Sequence, residues 1–367
     1  MIGLYIHIPF CKSICHYCDF VKVGVKKESE REKYLDTLIN ELNSYHNYFD
    51  QIDTIYIGGG TPNAMTDNEL IKLFEALKPI KPIEFSIEIN PESYTHNQGE
   101  IFKQYGVNRV SIGAQTSDEK ILKFLNRKHN NDEVINTISS LKQLGINNIN
   151  LDLIFAIPGQ TLKSINKDIK FFINLDIPHL SYYNLILEEN TYLYYLYNRG
   201  RFSEVDDEKS RQMYANVIDK LTKLGYNHYE ISNFSKHGHE SLHNLKYWEN
   251  KDYIGIGLGA HGLLNGIRTY NERSFNKYLK NTLYEKVELS IEDRITEELI
   301  MGLRLTKGIN LSEVNLKYNI NLHEKFPKIK EMKELKLIAE EDGYLKLTKE
   351  GIFLGNQVFQ IFVWNLF

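Results

Sequence analysis

Cysteine is scarce in this 367-residue chain: Cys11, Cys15 and Cys18 are the whole supply, and they fall within eight positions. An odd number with no partner elsewhere excludes a disulfide framework of the kind that staples secreted domains. No basic stretch followed by an apolar core opens the sequence, so no secretory signal is expected. No apolar run approaches the roughly 20 residues that a membrane-spanning helix needs. Neither sign of charge dominates: 44 Lys and Arg against 48 Asp and Glu leave a formal charge of -4. Such a balance supplies no global basic field for nucleic acid. These absences together point to a chain of the reducing cytoplasm.

What is present is a spacing. Cys11, Cys15 and Cys18 read Cys-x-x-x-Cys-x-x-Cys and directly follow a strand-like run, Leu4 to Ile8. Three thiolates cannot saturate a cubane of four irons, because each iron takes its own protein ligand. One iron stays open to a small chelator with an amine and a carboxylate, the part that S-adenosylmethionine plays in radical chemistry. A zinc site of the three cysteines with His16 or His7 is the rival reading. The 24 tyrosines, clustered at Tyr192, Tyr194, Tyr195 and Tyr197, either line an aromatic cavity or reflect a low-GC genome. The second explanation carries more weight.

Short β-branched runs alternate with amphipathic stretches. The runs are Leu4 to Ile8, Thr54 to Ile57, Glu84 to Ile89, Arg109 to Ile112, Asn148 to Ile154 and His179 to Leu185. Helical patterns lie between, as at Arg31 to Tyr48, Asp67 to Leu77 and Asn131 to Leu144. This βα rhythm predicts an α/β fold with a parallel sheet and helices outside. Six units are too few to close an eight-stranded barrel, so a partial (β/α)6 TIM-like barrel is expected, with its ligand at the C-terminal strand ends. Polar groups recur at those ends: Gly58 to Pro62, Glu88 to Pro91, Gly113 to Thr116, and Asp152 with Ile157 to Thr161. The glycine turn is no Walker motif, because no Gly-Lys-Ser/Thr follows. A buried Glu or Asp at a strand end satisfies backbone amides as readily as a ligand.

With these motifs the chain resembles the radical S-adenosylmethionine proteins of the oxygen-independent coproporphyrinogen oxidase group, and within it the heme-chaperone branch. The likeness runs through Tyr5 to Cys11, Tyr17 to Phe20, Gly58 to Pro62, Asn108 to Gly113, Asn150 to Leu153 and Pro158 to Gln160. It continues through His243 to Trp248, Asp252 to Gly257 and Gly259 to Gly262. The resemblance implies that Cys11, Cys15 and Cys18 hold a [4Fe-4S] cluster. It implies that Tyr5 and Tyr17 flank S-adenosylmethionine, that Gly59, Gly60 and Thr61 take its methionine end, and that Glu88, Gln115, Arg127 and Asp152 complete the site. A carboxylate suits the cofactor's ammonium or ribose, and Arg127 suits its carboxylate. The plainer reading of Arg127 is a surface helix residue beside exposed Lys128 and His129.

Two departures bear on activity. Dehydrogenases of the group carry a further cysteine two residues after the triplet, where this chain has Phe20, and a long segment ahead of the cluster. Both differences favour the chaperone branch. Ala156 and Ala114 stand where relatives often have glycine and valine, which bears on the packing beside Pro158 and Gly159. In the run His243 to Trp248, a neutral imidazole suits heme iron, with Tyr247 and Trp248 against the macrocycle. The alternative is a histidine bonded locally under a packed Trp. His261, His228, His237 and His239 compete for the ligand role. The run Gly255-x-Gly257-x-Gly259 lacks the helix and ribose acid of a dinucleotide site.

The expected organisation is a barrel with its extension over 1–262, an irregular connection over 263–291 and a small helical, winged-helix-like domain over 292–367. Helical patterns cover Glu292 to Leu305, Leu311 to Tyr318, Leu322 to Glu341 and Ile352 to Leu366, with a strand pair at Gly343 to Thr348. This last region holds 11 Lys and Arg against 12 Asp and Glu, so nucleic-acid binding is not expected. Phe362, Trp364 and Phe367 imply docking of the final helix, or else peripheral contact with a membrane or acceptor. Three functions share these parts: a carrier that delivers heme to a respiratory acceptor, a radical decarboxylase of coproporphyrinogen III, and a radical enzyme that opens heme. Each implies an electron donor such as flavodoxin or ferredoxin. Phe20 and His243 favour the carrier.

Overall fold

The computed structural model describes residues 1–363. Its first six long strands are β1 (Ile2–Ile8), β2 (Ile52–Gly59), β3 (Glu84–Ile89), β4 (Arg109–Gln115), β5 (Asn148–Phe155) and β6 (His179–Asn184). They are parallel neighbours in chain order, as the βα rhythm predicts. One face of β1 buries Ile2, Leu4, Ile6 and Ile8 in the main apolar core, together with Leu35, Leu38 and Leu42 of the helix Glu28–Ser44. The other face is polar. Tyr5 stands opposite Tyr56, Glu88 opposite Ser111, and Gly113 opposite Asp152, so the register itself lines up the inner wall.

Six more strands were not legible as such: β7 (Asn227–Glu230), β8 (Asn233–Ser235), β9 (Tyr253–Ile256), β10 (His261–Leu264), β11 (Ile267–Asn271) and β12 (Leu283–Glu288). The sheet has twelve strands in the order β12-β11-β10-β9-β1-β2-β3-β4-β5-β6-β8-β7, and it stays open. The expectation of an irregular connection over 263–291 is therefore corrected. Most of that stretch is an antiparallel meander, and its polar sequence reflects a sheet edge with half-exposed strands. The glycine run Gly255 to Gly259 serves packing. Gly257 has φ +100°, and a Cβ there would lie 2.5 Å from the carbonyl oxygen of His7. Glu41 pins the meander to the barrel by accepting from Gly257 N at 3.0 Å, Asn271 Nδ2 at 2.6 Å and Tyr278 Oη at 2.7 Å.

The helix Leu242–Trp248 plugs the inner face near the N-terminal strand ends. Glu84 of β3 caps it by accepting from Leu242 N and His243 N, both at 2.9 Å, which satisfies two otherwise orphaned donors. Lys246 pairs with Asp53 at 2.7 Å.

A second apolar cluster gathers residues from Ile295 to Phe362. Helices at Ile291–Gly302, Leu311–Tyr318, Leu322–Lys325 and Lys328–Glu334 surround a three-stranded sheet of Ile309–Asn310, Tyr344–Leu347 and Ile338–Glu341. The single helix expected over Leu322 to Glu341 is broken at Phe326-Pro327 and gives way to a strand at Ile338. The expected helix from Ile352 instead starts at Lys349, breaks at Leu354 and ends at Gln360. Phe362 is docked, with its ring edge-on to Phe326. Trp364, Leu366 and Phe367 lie outside the described residues.

Candidate cofactor pocket

A cavity of ≈ 330 Å³ opens at the C-terminal ends of β1 to β6. The loop after β1 carries all three cysteines into its wall, and no disulfide joins them. Burial pushes the Cys11 thiol up to about 11, against the hydrogen bond from Thr61 Oγ1, 3.7 Å from its sulfur. Burial also raises the Cys18 thiol. Metal loading must therefore displace protons, and the cations at hand are Lys22, whose Nζ bonds Cys18 O at 2.5 Å, and Arg127. Among the described residues no three His, Cys, Asp or Glu side chains gather around a point fit for a single metal ion. Both histidines named for a zinc site are engaged elsewhere: His7 Nε2 donates to Val21 O at 2.6 Å, and His16 Nδ1 donates to Phe124 O at 2.8 Å.

Arg127 is 7% exposed, and the surface reading of it is corrected. Its guanidinium donates to Gly113 O at 2.7 Å, to Asn90 Oδ1 at 2.8 Å and to Cys15 Sγ at 3.4 Å. His129 beside it is also buried, with its Nε2 3.2 Å from Ala114 O; Lys128 alone is exposed. Tyr17 lines the pocket between Cys15 and Arg127.

The glycine turn offers acceptors, not donors. Gly59 N is spent on Glu88 Oε2 at 3.1 Å, Gly60 N on Ile8 O at 2.8 Å and Thr61 N on Phe10 O at 2.8 Å. The glycines are required by the protein's own atoms: Gly59 has φ +111°, and a Cβ there would meet the His7 ring at 2.4 Å. Glu88 also accepts from Tyr56 Oη at 2.8 Å. Burial, and then the neighbouring Asp152, push its carboxyl up to about 7. Asp152 accepts from Ser111 Oγ at 2.7 Å and Asn150 Nδ2 at 2.9 Å, and burial raises its carboxyl too. Gln115 sits at a bulge with φ +57°, and its buried Oε1 has no hydrogen-bond donor among the described residues. Two carboxylates, an orphaned amide oxygen and carbonyls form an acceptor-rich wall suited to a cation with hydroxyls.

Eleven of the thirteen expected site residues thus share one pocket. Tyr5 and His243 do not. Tyr5 lies on the β9 side, its hydroxyl 2.9 Å from His7 Nδ1, and it lines a different cavity. His243 is 0% exposed, and both its ring nitrogens are taken, Nδ1 by Thr54 Oγ1 at 2.9 Å and Nε2 by Tyr247 Oη at 2.8 Å. Its ring lies against Tyr56, with centroids 5.3 Å apart. As folded it is a locally bonded histidine of the plug helix. The sequence reading missed Tyr56, Asn90 and Ser111; the period-two pattern on β2 and β4 was the signal for Tyr56 and Ser111.

An open parallel half-barrel with a cysteine triplet on the loop after its first strand defines a radical SAM protein. The Radical SAM superfamily profile matches residues 5–172, and the HemN C-terminal domain profile matches 289–354. Among curated proteins, the heme chaperone HemW of Bacillus subtilis is 39% identical over 100% of both chains. That of Lactococcus lactis is 37% identical over 98% of this chain and 96% of its own. The chain belongs to this HemW family of radical SAM proteins. The structure of coproporphyrinogen III oxidase (HemN) from Escherichia coli superposes with a TM-score of 0.86 at 20% identity, covering 100% of this chain and 90% of that one, so the fold is shared.

Proposed function

We propose that this chain is a heme carrier of the cytoplasm that binds heme and hands it to a respiratory acceptor protein. Cys11, Cys15 and Cys18 hold a [4Fe-4S] cluster, and Tyr17, Gly59, Gly60, Thr61, Glu88, Gln115, Arg127 and Asp152 hold S-adenosylmethionine. The single observation that carries the reading is the convergence of three free thiols on an acceptor-rich pocket, in a chain similar over its full length to heme chaperones. When bound, the cluster supplies one electron to the cofactor's sulfonium, drawn from a donor such as flavodoxin or ferredoxin. The chain's own part is to hold the open iron beside a wall that accepts hydrogen bonds. Phe20, 67% exposed where a dehydrogenase would carry cysteine, supports the carrier over the decarboxylase. No helix among the described residues is long and apolar enough to cross a membrane.

The deciding experiment is anaerobic: reconstituted protein, S-adenosylmethionine, a reductant and coproporphyrinogen III, with protoporphyrinogen measured by chromatography. No product is expected from protein with an intact cluster, whereas heme passes to an apo-cytochrome acceptor. Multiple turnovers of protoporphyrinogen would make the chain an oxidase.

Glu88 predicts a pH dependence. Its carboxyl titrates near 7 in the fold against an ordinary value near 4.5, so it is mostly neutral at pH 6 and mostly ionised at pH 8. A cationic ligand prefers the ionised form, so affinity for S-adenosylmethionine should rise about 10-fold from pH 6 to 8. The Glu88→Gln variant should show a flat profile; a wild-type profile equally flat would remove Glu88 from the site. The stability sign is opposite. Because the folded value is raised, this group's contribution is full at low pH and is lost as pH climbs from about 4.5 through about 7.

A further inference from the structure

The tyrosine run that stands out in the sequence takes no part in lining the cofactor pocket. It folds as the short helix Tyr192–Tyr197, capped by the Thr191 side chain. Leu193 is its one buried side chain, packed in an apolar cluster with Ile121, Leu125, Ile154 and Ile157. Tyr192, Tyr195 and Tyr197 stay outside, 50%, 46% and 38% exposed. A low-GC genome accounts for many tyrosines, but not for three of them on one surface.

This helix is stitched to the cysteine loop. Leu193 N donates to His16 O at 2.9 Å, and the Tyr192 ring lies 4.5 Å from that of His16. His16 N in turn donates to Leu125 O at 3.0 Å and its Nδ1 to Phe124 O at 2.8 Å, at the end of the helix Glu119–Phe124. Asn126 Nδ2 donates to Ile14 O at 2.8 Å. The stretches 12–16, 120–128 and 192–201 therefore form one face, with the thiol-bearing loop held between two helices.

That face is basic. Lys12, then Lys120, Lys123, Arg127 and Lys128, then Arg199 and Arg201 make seven cations, with no Asp or Glu in the three stretches, in a chain of formal charge -4. All but Arg127 are exposed, and none of the exposed six has an acidic partner among the described residues. Asp19, Glu119, Glu188 and Glu189 only border the stretches. Tyr192 and Tyr195 stack at 5.7 Å, and the Arg199 guanidinium lies over the Tyr195 ring at 4.3 Å.

We propose that this face is the docking surface of an acidic protein that carries a one-electron centre, a flavin or an iron–sulfur cluster. The inference rests on the cofactor assignment above and names where the donor of the cluster's electron sits. The sign of the face selects a partner with clustered carboxylates, and it disfavours a second copy of this chain, because two like-charged faces repel. Tyrosines and arginine supply the contact residues that protein interfaces favour. Position supplies the reason for the contact: a partner seated here meets the loop that presents Cys15 and Cys18. One electron leaves the partner's centre and one enters the cluster, with no bond made or broken.

The test titrates full-length protein carrying its cluster, by calorimetry, with oxidised flavodoxin and separately with oxidised ferredoxin, at low and at high salt. At least one should bind, with an affinity that falls as salt rises. Lys123→Glu combined with Arg199→Glu should cost at least about 10-fold in affinity. The same variant should be reduced more slowly by the reduced partner, yet at the wild-type rate by dithionite. Tyr195→Ser should weaken binding without changing its salt dependence. Lys286→Glu combined with Lys330→Glu makes the same charge change on the sheet edge and the helical unit, and should bind as wild type does. If the Lys123 and Arg199 variant keeps wild-type affinity, or if neither probe binds, the inference is overturned and the heme-carrier reading stands. Binding to vesicles of anionic phospholipid in place of both proteins would overturn it too, and give the face to a membrane. A wild type that holds no cluster would sink the cofactor assignment and this inference together.

Discussion

Alanine at Cys11, Cys15 or Cys18, one at a time, is expected to abolish cluster assembly while leaving the barrel folded. Iron content after anaerobic reconstitution should fall from about 4 per chain to near background, with loss of the broad visible absorption of the cluster. The fold should survive because these thiols make few of the contacts that hold it. Cys15 and Cys18 are half-buried, and the hydrogen bond to the Cys11 sulfur is the long one from Thr61. The sheet meanwhile rests on the apolar side of β1 and its neighbours. Far-ultraviolet circular dichroism and the thermal midpoint should therefore match wild type. Binding of S-adenosylmethionine, followed by calorimetry on the reconstituted protein, should be lost along with the iron. A single-cysteine variant that still loaded four irons would transfer that ligand role to another residue and undo the site.

Arg127→Met is expected to give the largest loss of stability of any pocket substitution. The guanidinium joins a carbonyl of β4, the Asn90 side chain after β3 and the sulfur of Cys15, and it lies 3.9 Å from the Glu92 carboxylate. Removing it leaves Gly113 O and Asn90 Oδ1 without that donor, and leaves His129, 3.6 Å away, as the basic neighbour of Glu92 among the described residues. Breaking such a buried charge typically costs about 3–5 kcal/mol. The denaturation midpoint of the iron-free protein should fall accordingly, and cluster retention in air should shorten. Arg127→Lys should recover part of the loss, because an ammonium keeps the charge but cannot span three acceptors. An unchanged midpoint in the methionine variant would mean that water takes over all three bonds.

The sequence made the parallel strands and the cofactor pocket readable because both are local patterns. Each strand is a β-branched run with a polar punctuation mark at its C-terminal end, and the topology then gathers those marks at one mouth. The meander and β9 were not readable for the opposite reason. Tyr253 to Ile256 is a strand because it finds β1, some 250 positions earlier in the chain, and no window of sequence contains that pairing. His129 and Arg127 looked exposed because their neighbours are polar, but the short helix Glu119–Phe124 ends just before them and turns them inward. Tyr5 was placed with the cofactor by motif, whereas its register opposite Gly255 and Tyr56 sets it at the boundary of two cavities. Ala156 shows a departure whose meaning appears only in the backbone. Its φ is +59°, a left-handed conformation that costs an alanine roughly 1 kcal/mol, so glycine there relieves strain.

The place of β1 in the sheet also governs how the chain is made. Of the twelve strands this one is made first, yet it ends in the middle of the sheet, with β2 on one side and β9 on the other. Its second edge stays bare until residue 256 has been synthesised, at roughly 5–20 residues per second. For that interval the nascent protein carries an unpaired, isoleucine-rich edge with three reduced thiols just beyond it, a combination prone to sticking and oxidation. Metal loading is consequently a late event. The wall that receives the cluster, from Thr61 to Arg127, can form early, but the neighbouring turn at Gly257 and Gly259, which packs on His7 and Val21, closes only when β9 docks. Slow decoding before residue 253 would lengthen that exposure and lower the yield of loaded protein, whereas a chaperone covering the β1 edge would raise it.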